Sequence, residues 1–340
     1  MTAETAGSCR RIKWWIAVAC AIAASGLTVT QRAFAADWKP DRTVELITTA
    51  AAGGNLDITA RAIQKIWRDQ KIGPLAEVVN KPGGAGAVAS AYLSQHAGNP
   101  HLLLTFPMTL FTSQIMGASN FQRTDVSPIC LLFGQYVYLS VREDSPIKDG
   151  KDFIDRLRRD PSSLSVAVAT AIGNSIHMGI AIPMKAAGVD VRKMRVVAFK
   201  SSGQSVTNLL GGHVDVVAST YGTVLPHLQA GRIRVIGFSG NERLPGALAT
   251  VPTWREQGAN AAFSNWLGIV GAKGLGQAQI SYWDQTFAAM ANSEEWREDL
   301  NKNFRVNSFM NNREAQKFFD AQYIQIREIL TDLGLAKRSN

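Results

Sequence analysis

TTAAAGGNLDITARAI, Thr48 to Ile63, decides how the rest of this chain is read. The apolar run VELITT, Val44 to Thr49, enters it as a strand. Gly53 and Gly54 then break the run, and Leu56, Ala60, Ile63 and Trp67 leave it at helical spacing. A strand that turns through glycines into a helix brings the unpaired amides of the first helical turn, and the positive end of the helix dipole, to the strand's carboxyl end. Such a turn either receives an anion, a nucleotide phosphate among them, or simply joins two elements.

Outward from this stretch the cycle repeats. AEVVN leads to PGGAG and a helix through Val88, Ala89 and Tyr92; HLLLTF leads to PMTLF; LSVAVAT leads to AIGNS and a helix through Ile180 and Met184. RVVAFK precedes SSGQS and Leu209, and VDVVAST precedes a short helix around Leu225 and Leu228. Strands that alternate with helices predict an α/β fold of mostly parallel sheets flanked by helices. Near the C-terminus, Ile280, Trp283, Phe287 and Met290 make one helical stripe and Phe319, Tyr323, Ile326 and Leu330 another; both read as core-facing. No short-period repeat and no low-complexity linker is evident.

The N-terminus reads as a targeting segment. Arg10, Arg11 and Lys13 precede an apolar run from Trp14 to Val29, and Ala33-Phe34-Ala35 fits the small-x-small cleavage rule. Residues 1–35 are therefore expected to be a secretory signal peptide, with the mature protein exported and soluble. A retained anchor helix and a lipid on Cys20 are the rival readings; Ala17-Val18-Ala19 is a poor lipid-attachment box. Arg10-Arg11 also leaves a twin-arginine export route open beside the general one.

Loss of residues 1–36 removes four basic residues and one acid, which takes the formal charge from +9 to +6. The remaining basicity is dispersed, with no Lys/Arg cluster interleaved with aromatics, so no nucleic-acid partner is expected. Of three cysteines only Cys130 survives cleavage, between Ile129 and Leu131; it reads as a buried small hydrophobe, and no intrachain disulfide can form. About 300 mature residues suffice for two domains.

Gly84-Ala85-Gly86-Ala87-Val88-Ala89 matches the shortest dinucleotide fingerprint, yet that fold needs an acid about 20 residues on, and no Asp or Glu lies between Glu77 and Asp125. G-x-x-x-x-G-K-[ST], G-x-S-x-G, H-E-x-x-H and C-x-x-C are all absent, and the five histidines have no ligand spacing. Enzymatic activity thus has no motif behind it but is not excluded, and no cofactor or metal is expected. Carboxylate or phosphate capture at the carboxyl ends of the strands fits the repeated glycine turns, where the ligand crevice of an open α/β sheet lies.

The segments AAAGGNLDITARA (50–62), AEVVNKPGGAG (76–86), IGNSIHMGIAIPMKAAGVD (172–190), LLGGHVDVVASTYG (209–222), LQAGRIRVIGFSGNERLPG (228–246), VPTWREQG (251–258) and REILTDLGLAK (327–337) carry a family resemblance. In that order they resemble the extracytoplasmic solute receptors of tripartite tricarboxylate transporters, the Bug-type periplasmic binding proteins, most of all their tricarboxylate-binding branch. The resemblance implies a two-domain, type II Venus-flytrap periplasmic binding protein that closes over a small organic carboxylate, a di- or tricarboxylate of the citrate kind, and delivers it to two integral membrane permease subunits. It places domain 1 in 36–139 plus 263–340 and domain 2 in 140–262, with crossings near Tyr136 to Val141 and Phe263 to Val270. A monomer is expected. A sensor that signals to a membrane kinase, and an exported enzyme on the same scaffold, remain as alternatives.

Carried onto this sequence, the resemblance lines the cleft with Ala52, Gly53, Gly54, Asn55, Leu56 and Asp57, with Gly84 and Gly86, and with Thr105, Phe106 and Pro107. From the second domain come Thr170, Ala171, Gly173, Asn174, Ser175 and His177, then Lys200, then Ser219, Thr220 and Tyr221. In this reading Gly53, Gly54 and Gly86 offer backbone amides, and Thr105, Asn174, Ser175 and Thr220 offer side-chain donors. Valine at Gly54 or Gly86 should then block the anion and spare the fold. Asp57 would bond amides of the first helical turn or reach the ligand through water, His177 would be a structural hydrogen-bonder or a ligand, Lys200 a carboxylate partner or a solvated side chain, and Trp266 packing or a cleft wall. These loops hold no arginine, so neutral donors should carry the binding, with Lys200 assisting. Leu56, Ile172 and the pair Ser201-Ser202 depart from the family pattern, which leaves the solute open.

Overall fold

The computed structural model describes residues 38–169, 171–245 and 248–337. The signal peptide, its cleavage site, Cys20 and Thr170 lie outside the described residues. In chain order the first elements are β1 (Val44–Thr48), α1 (Asn55–Gln70), β2 (Ala76–Asn80), α2 (Ala87–Ser94), β3 (Leu102–Pro107), α3 (Thr109–Ile115) and β4 (Val126–Gln135). Next come β5 (Tyr138–Arg142), α4 (Gly150–Arg159), β6 (Ser165–Ala169), α5 (Ser175–Ala186), β7 (Arg195–Phe199), α6 (Ser202–Leu210), β8 (Val216–Ser219), α7 (Tyr221–Gln229) and β9 (Ile233–Phe238). The last are β10 (Asn265–Ala272), α8 (Gln277–Ala291), α9 (Glu294–Lys302), β11 (Val306–Met310) and α10 (Asn312–Asp332).

Two sheets result, in the orders β11-β4-β10-β3-β1-β2 and β7-β6-β8-β5-β9. Each contains one three-stranded parallel unit of the same design. β1 pairs in parallel with β2 and β3, so that Leu46 faces Val78 on one side and Leu103 on the other. β6 pairs in parallel with β7 and β8, with Val166 opposite Val196 and Val216. In both units the first strand is central and each step to a neighbour runs through a helix, the crossover that parallel pairing requires. The carboxyl ends of β1 and β3, and of β6 and β8, therefore flank the point where the chain reverses its winding, the usual place for a ligand.

The parallel pairing expected from the alternating pattern holds inside these units. Elsewhere the sheets are mixed: β10 runs antiparallel to β3 and β4, β11 to β4, and β5 to β8 and β9. These strands come from distant parts of the chain, without a crossover helix to set their direction.

Aromatic packing fixes the helices. Trp67 of α1 stacks on Trp283 of α8 at 5.8 Å and 14° and also meets Phe287. Trp283, Phe287 and Met290 are buried, as are Phe319, Ile326 and Leu330 of α10, so both C-terminal stripes face the core. Trp266 is buried among Phe106, Phe111, Phe318 and Phe319 and donates from Nε1 to Gln322 Oε1 at 3.1 Å. It packs. Cys130 is a buried free thiol whose pKa burial pushes up.

The chain leaves the first sheet after Gln135, enters the second at Tyr138 and returns between Phe238 and Asn265. Ser239, fully buried, joins both passages. Its backbone amide donates to Val137 O (3.0 Å), and its Oγ accepts from Val137 N (3.0 Å) and donates to Phe263 O (2.6 Å). Phe263 N donates to Ser239 O at 2.7 Å.

Candidate functional site

The loop after β1 is closed by its own side chains. Asp57, buried in the first turn of α1, accepts on Oδ2 from Gly53 N (2.8 Å) and Arg61 Nε (2.9 Å), and on Oδ1 from Asn80 Nδ2 (2.8 Å). Asn80 Nδ2 also donates to Ala50 O at 3.0 Å. The Arg61 hydrogen bond, aided by Asn80 and the Gly53 amide, lowers the Asp57 pKa from 3.8 to about 2 against the opposing effect of burial. Asp57, an anion in the first helical turn, braces the glycine turn through the Gly53 amide, which precedes the helix.

That bracing changes which donors are available. Gly53 N is spent on Asp57, Gly54 N donates to Ala51 O at 3.0 Å, and Gly86 N donates to Gly83 O at 3.0 Å. The three glycine amides expected to face a ligand are engaged within their own loops. What the loop after β1 leaves open is the first turn of α1 itself, from Asn55, because its N-cap, Gly54, provides no side-chain cap. Ala52, Gly53 and Asn55 are exposed and Leu56 is half-buried.

After Pro82 the PGGAG turn has positive φ at every residue: +120° at Gly83, +55° at Gly84, +51° at Ala85 and +95° at Gly86. A Cβ at Gly86 would lie 2.5 Å from Leu110 Cδ2 and 3.3 Å from Thr49 Cγ2. Close packing of this turn against α3 and the loop after β1 explains this glycine. Thr105, buried in β3, donates to Ile47 O at 3.3 Å, and Phe106 is held in the aromatic core beside Pro107.

In the second sheet, Asn174 is the N-cap of α5: Oδ1 accepts from His177 N (3.0 Å) and Nδ2 donates to Ala169 O (2.6 Å). His177 is buried, and its Nδ1 accepts from Gly173 N at 2.9 Å. Burial lowers its pKa from 6.5 to about 4, so the ring is neutral with its proton on Nε2. Asn174 and His177 together hold the turn at Gly173, which has φ +86°. A Cβ there would stand 3.0 Å from Leu335 Cδ1 and 3.1 Å from Met116 Sδ, so this loop lies against α3 and the chain end beyond α10. Ala171 is exposed, and Ser175 half-buried.

Lys200 is exposed, its amide donating to Gln204 Oε1 at 3.1 Å, while Ser201 Oγ caps α6 by accepting from Gln204 N at 3.2 Å. At α7 the N-cap Thr220 makes no side-chain cap, as Gly54 makes none at α1. Ser219 is buried and donates to Thr220 O at 3.1 Å. Tyr221 packs against Tyr138 at 5.5 Å.

Two residues outside the expected loops stand at these uncapped ends. Arg305 Nη2 donates to Asn55 Oδ1 at 2.6 Å, and the Phe304 ring meets Tyr221 edge-on at 5.1 Å. The absence of arginine from the expected loops therefore does not mean its absence from their surroundings. Both residues sit between a helix and a strand, where no glycine turn marks them. A concavity of about 650 Å³ between α2 and the segment 117–121 contains none of the expected residues. Among the described residues, no group of three or more His, Cys, Asp or Glu side chains is arranged to hold a metal ion, and no helix is long and apolar enough to cross a membrane.

Comparison with known proteins agrees with this architecture. A UPF0065 protein of the gbd 5′ region in Cupriavidus necator is 26% identical over 321 residues, 94% of this chain and 96% of that protein. Protein BugT of Bordetella pertussis is 23% identical over 244 residues, 70% of this chain and 73% of its own length. Among solved structures, a TctC solute binding protein from Polaromonas superposes with a TM-score of 0.77 at 22% identity, covering 86% of this chain and 99% of that one. An R. palustris protein with adipate superposes with a TM-score of 0.69 at 21% identity, covering 87% and 99%. The fold is that of a two-domain periplasmic binding protein. Residues 59–335 match the model of the tripartite tricarboxylate transporter family receptor, and the chain belongs to that family of solute-binding receptors.

Proposed function

We propose that this protein is an exported, monomeric receptor that captures a small organic carboxylate between two lobes, 36–139 plus 263–340 and 140–262, and passes it to two integral membrane permease subunits. It carries out no catalysis. The observation that carries this reading is that helix N-termini without a side-chain cap stand at the carboxyl ends of both parallel units, α1, α2 and α3 in the first and α7 after β8 in the second. Each contributes about 0.3 to 1 kcal/mol toward an anion at an exposed site, and up to about 2 kcal/mol when partly buried. The structural relative with adipate supports the carboxylate class. The contact set is Ala52 to Asp57, Gly84, Gly86, Thr105 to Pro107, Thr170, Ala171, Gly173 to Ser175, His177, Lys200 and Ser219 to Tyr221, with Asp57, Asn174 and His177 shaping loops and Lys200 adding long-range attraction. Domain closure stabilised by ligand is the mechanism.

A thermal-shift panel of C4 to C6 mono-, di- and tricarboxylates tests it. At least one acid should raise the melting temperature, since a ligand at about 100 times its dissociation constant adds about 2.7 kcal/mol to the folded state. Lys200→Gln should weaken that acid without abolishing binding. Stabilisation by uncharged or cationic solutes alone would overturn the carboxylate class. Intact mass of the exported protein should begin within a residue or two of Ala36; a retained Met1 or a lipid on Cys20 would refute the cleavage.

A further inference from the structure

The segment Asn303–Arg305, between α9 and β11, joins the uncapped ends of α1 and α7 and has features that the family reading does not use. Phe304 has φ +53°, in the left-handed region, where a bulky side chain is an outlier. Phe304 as a whole is 42% exposed. Besides touching Tyr221 it covers Gly222, where an added Cβ would lie 3.2 Å from Phe304 Cδ2. The left-handed turn sends one side chain toward α7 and the next back into the core.

That next side chain, Arg305, is fully buried. Its guanidinium lies over the Phe133 ring at 4.4 Å, and Nη1 donates to Asp299 Oδ2 at 3.3 Å. Nη2 donates to Asn55 Oδ1, and Nε has no acceptor among the described residues. Arginine carries donors only, so it accepts no proton from an amide and can bond only the oxygen of Asn55. The Asn55 amino group is thereby turned away from Arg305, at the exposed first residue of α1.

We propose that Phe304 and Arg305 determine the specificity of the receptor's site: Phe304 is an aromatic wall beside Tyr221, and Arg305 is a positioning residue that aims the Asn55 amino group at the carboxylate. This rests on the receptor reading. Because the two residues are adjacent, the same segment also spans from the α1 end to the α7 end and restrains the spread of the two sheets. A wall sets which chain lengths fit, and a fixed amide donor lowers the ordering cost of binding.

Phe304→Gly is the informative variant, since glycine accepts the left-handed φ and only the ring is lost. Calorimetry with succinate, adipate and citrate as probes should show its affinity ratio shifted toward the larger acids by about tenfold or more, the scale of one methylene contact. Asn55→Ala and Arg305→Met should each weaken the preferred probe, with no further loss in the double variant. Arg305→Lys, which keeps a donor, should recover part of it. Should Arg305→Met fail to fold, the exposed Asn55→Ala variant decides alone: unchanged affinity refutes the positioning role. Equal scaling of all three probes by Phe304→Gly refutes the wall.

A ligand-free measurement separates this proposal from the receptor reading. With spin labels at Lys65→Cys in α1 and Lys151→Cys in α4, Phe304→Gly should broaden the distance distribution of the unliganded protein. If the parent binds no carboxylate, the receptor's ligand class falls while a broadened distribution upholds the bridge. An unchanged distribution refutes the bridge whatever the ligand.

Discussion

Asp57 Oδ2 and Gly53 N lie 2.8 Å apart, so the first turn of α1 reaches back and holds the glycine that precedes it. The carboxylate is buried and bonds Asn80 and Arg61 as well. Its pKa is about 2 in the folded chain against 3.8 for an ordinary Asp. A depressed carboxyl contributes stability that is fully present above the ordinary value and lost as pH falls through the folded one. Asp57→Asn should cost on the order of 2 kcal/mol at neutral pH, part of it screened because Arg61 is half exposed. Urea unfolding should show the gap to the parent closing between about pH 4 and pH 2; a gap that is flat across this window would show that the charge is not what Asp57 contributes.

His177 also loses stability on acidification, but from the opposite cause, because burial disfavours its charged form. It is neutral when folded down to a pH of about 4, whereas the unfolded ring takes up a proton near its ordinary 6.5. The unfolded state therefore binds more protons in between, and stability should fall from about pH 6.5 toward pH 4, by up to about 3 kcal/mol. His177→Asn keeps an acceptor near Nδ1 for Gly173 N and should lose this slope. Denaturation midpoints of the two proteins from pH 7.5 to 4.5 test it, and parallel profiles would refute the assignment.

Glycine substitutions separate packing from ligand access. Gly86→Ala meets Leu110 and a φ of +95°, and should destabilise the protein by about 1 to 3 kcal/mol from overpacking, with about 1 to 2 kcal/mol more from the backbone. Gly203, in the first turn of α6, has no atom nearer than 4.0 Å to an added Cβ, so Gly203→Ala should stabilise by about 0.4 to 1 kcal/mol. The expectation that valine at Gly86 blocks an anion and spares the fold does not hold against this geometry. Valine at Gly54 would likewise press on its own loop, 3.0 Å from Ala50 Cβ and Ala51 O. Chemical denaturation of both alanine variants checks the signs.

The contrast between these glycines shows where sequence reading reaches. The strand, turn and helix at Thr48 to Ile63 were legible because each is a local pattern, and so were the stripes through Trp283 and Phe319. The antiparallel halves of the sheets were not, since β10 finds β3 and β4 across long stretches of chain that periodicity does not connect. At the site, the turns after the strands were legible as turns, yet the fate of their amides depends on side chains such as Asp57 that return from the helix. Arg305 and Phe304 gave no signal: a left-handed Phe looks like any other Phe, and Asn55 lies far from it in sequence.

Ser239 has a mechanical consequence. One hydroxyl, accepting from Val137 and donating to Phe263, makes the outgoing and returning passages between the sheets share a single joint. Sliding one passage along the other would break the two hydrogen bonds between Ser239 and Val137, and pulling Phe263 away would break two more. Twisting both together about an axis through Ser239 breaks none. At this joint, rotation is therefore the displacement that costs least, with the distance between the passages held nearly constant.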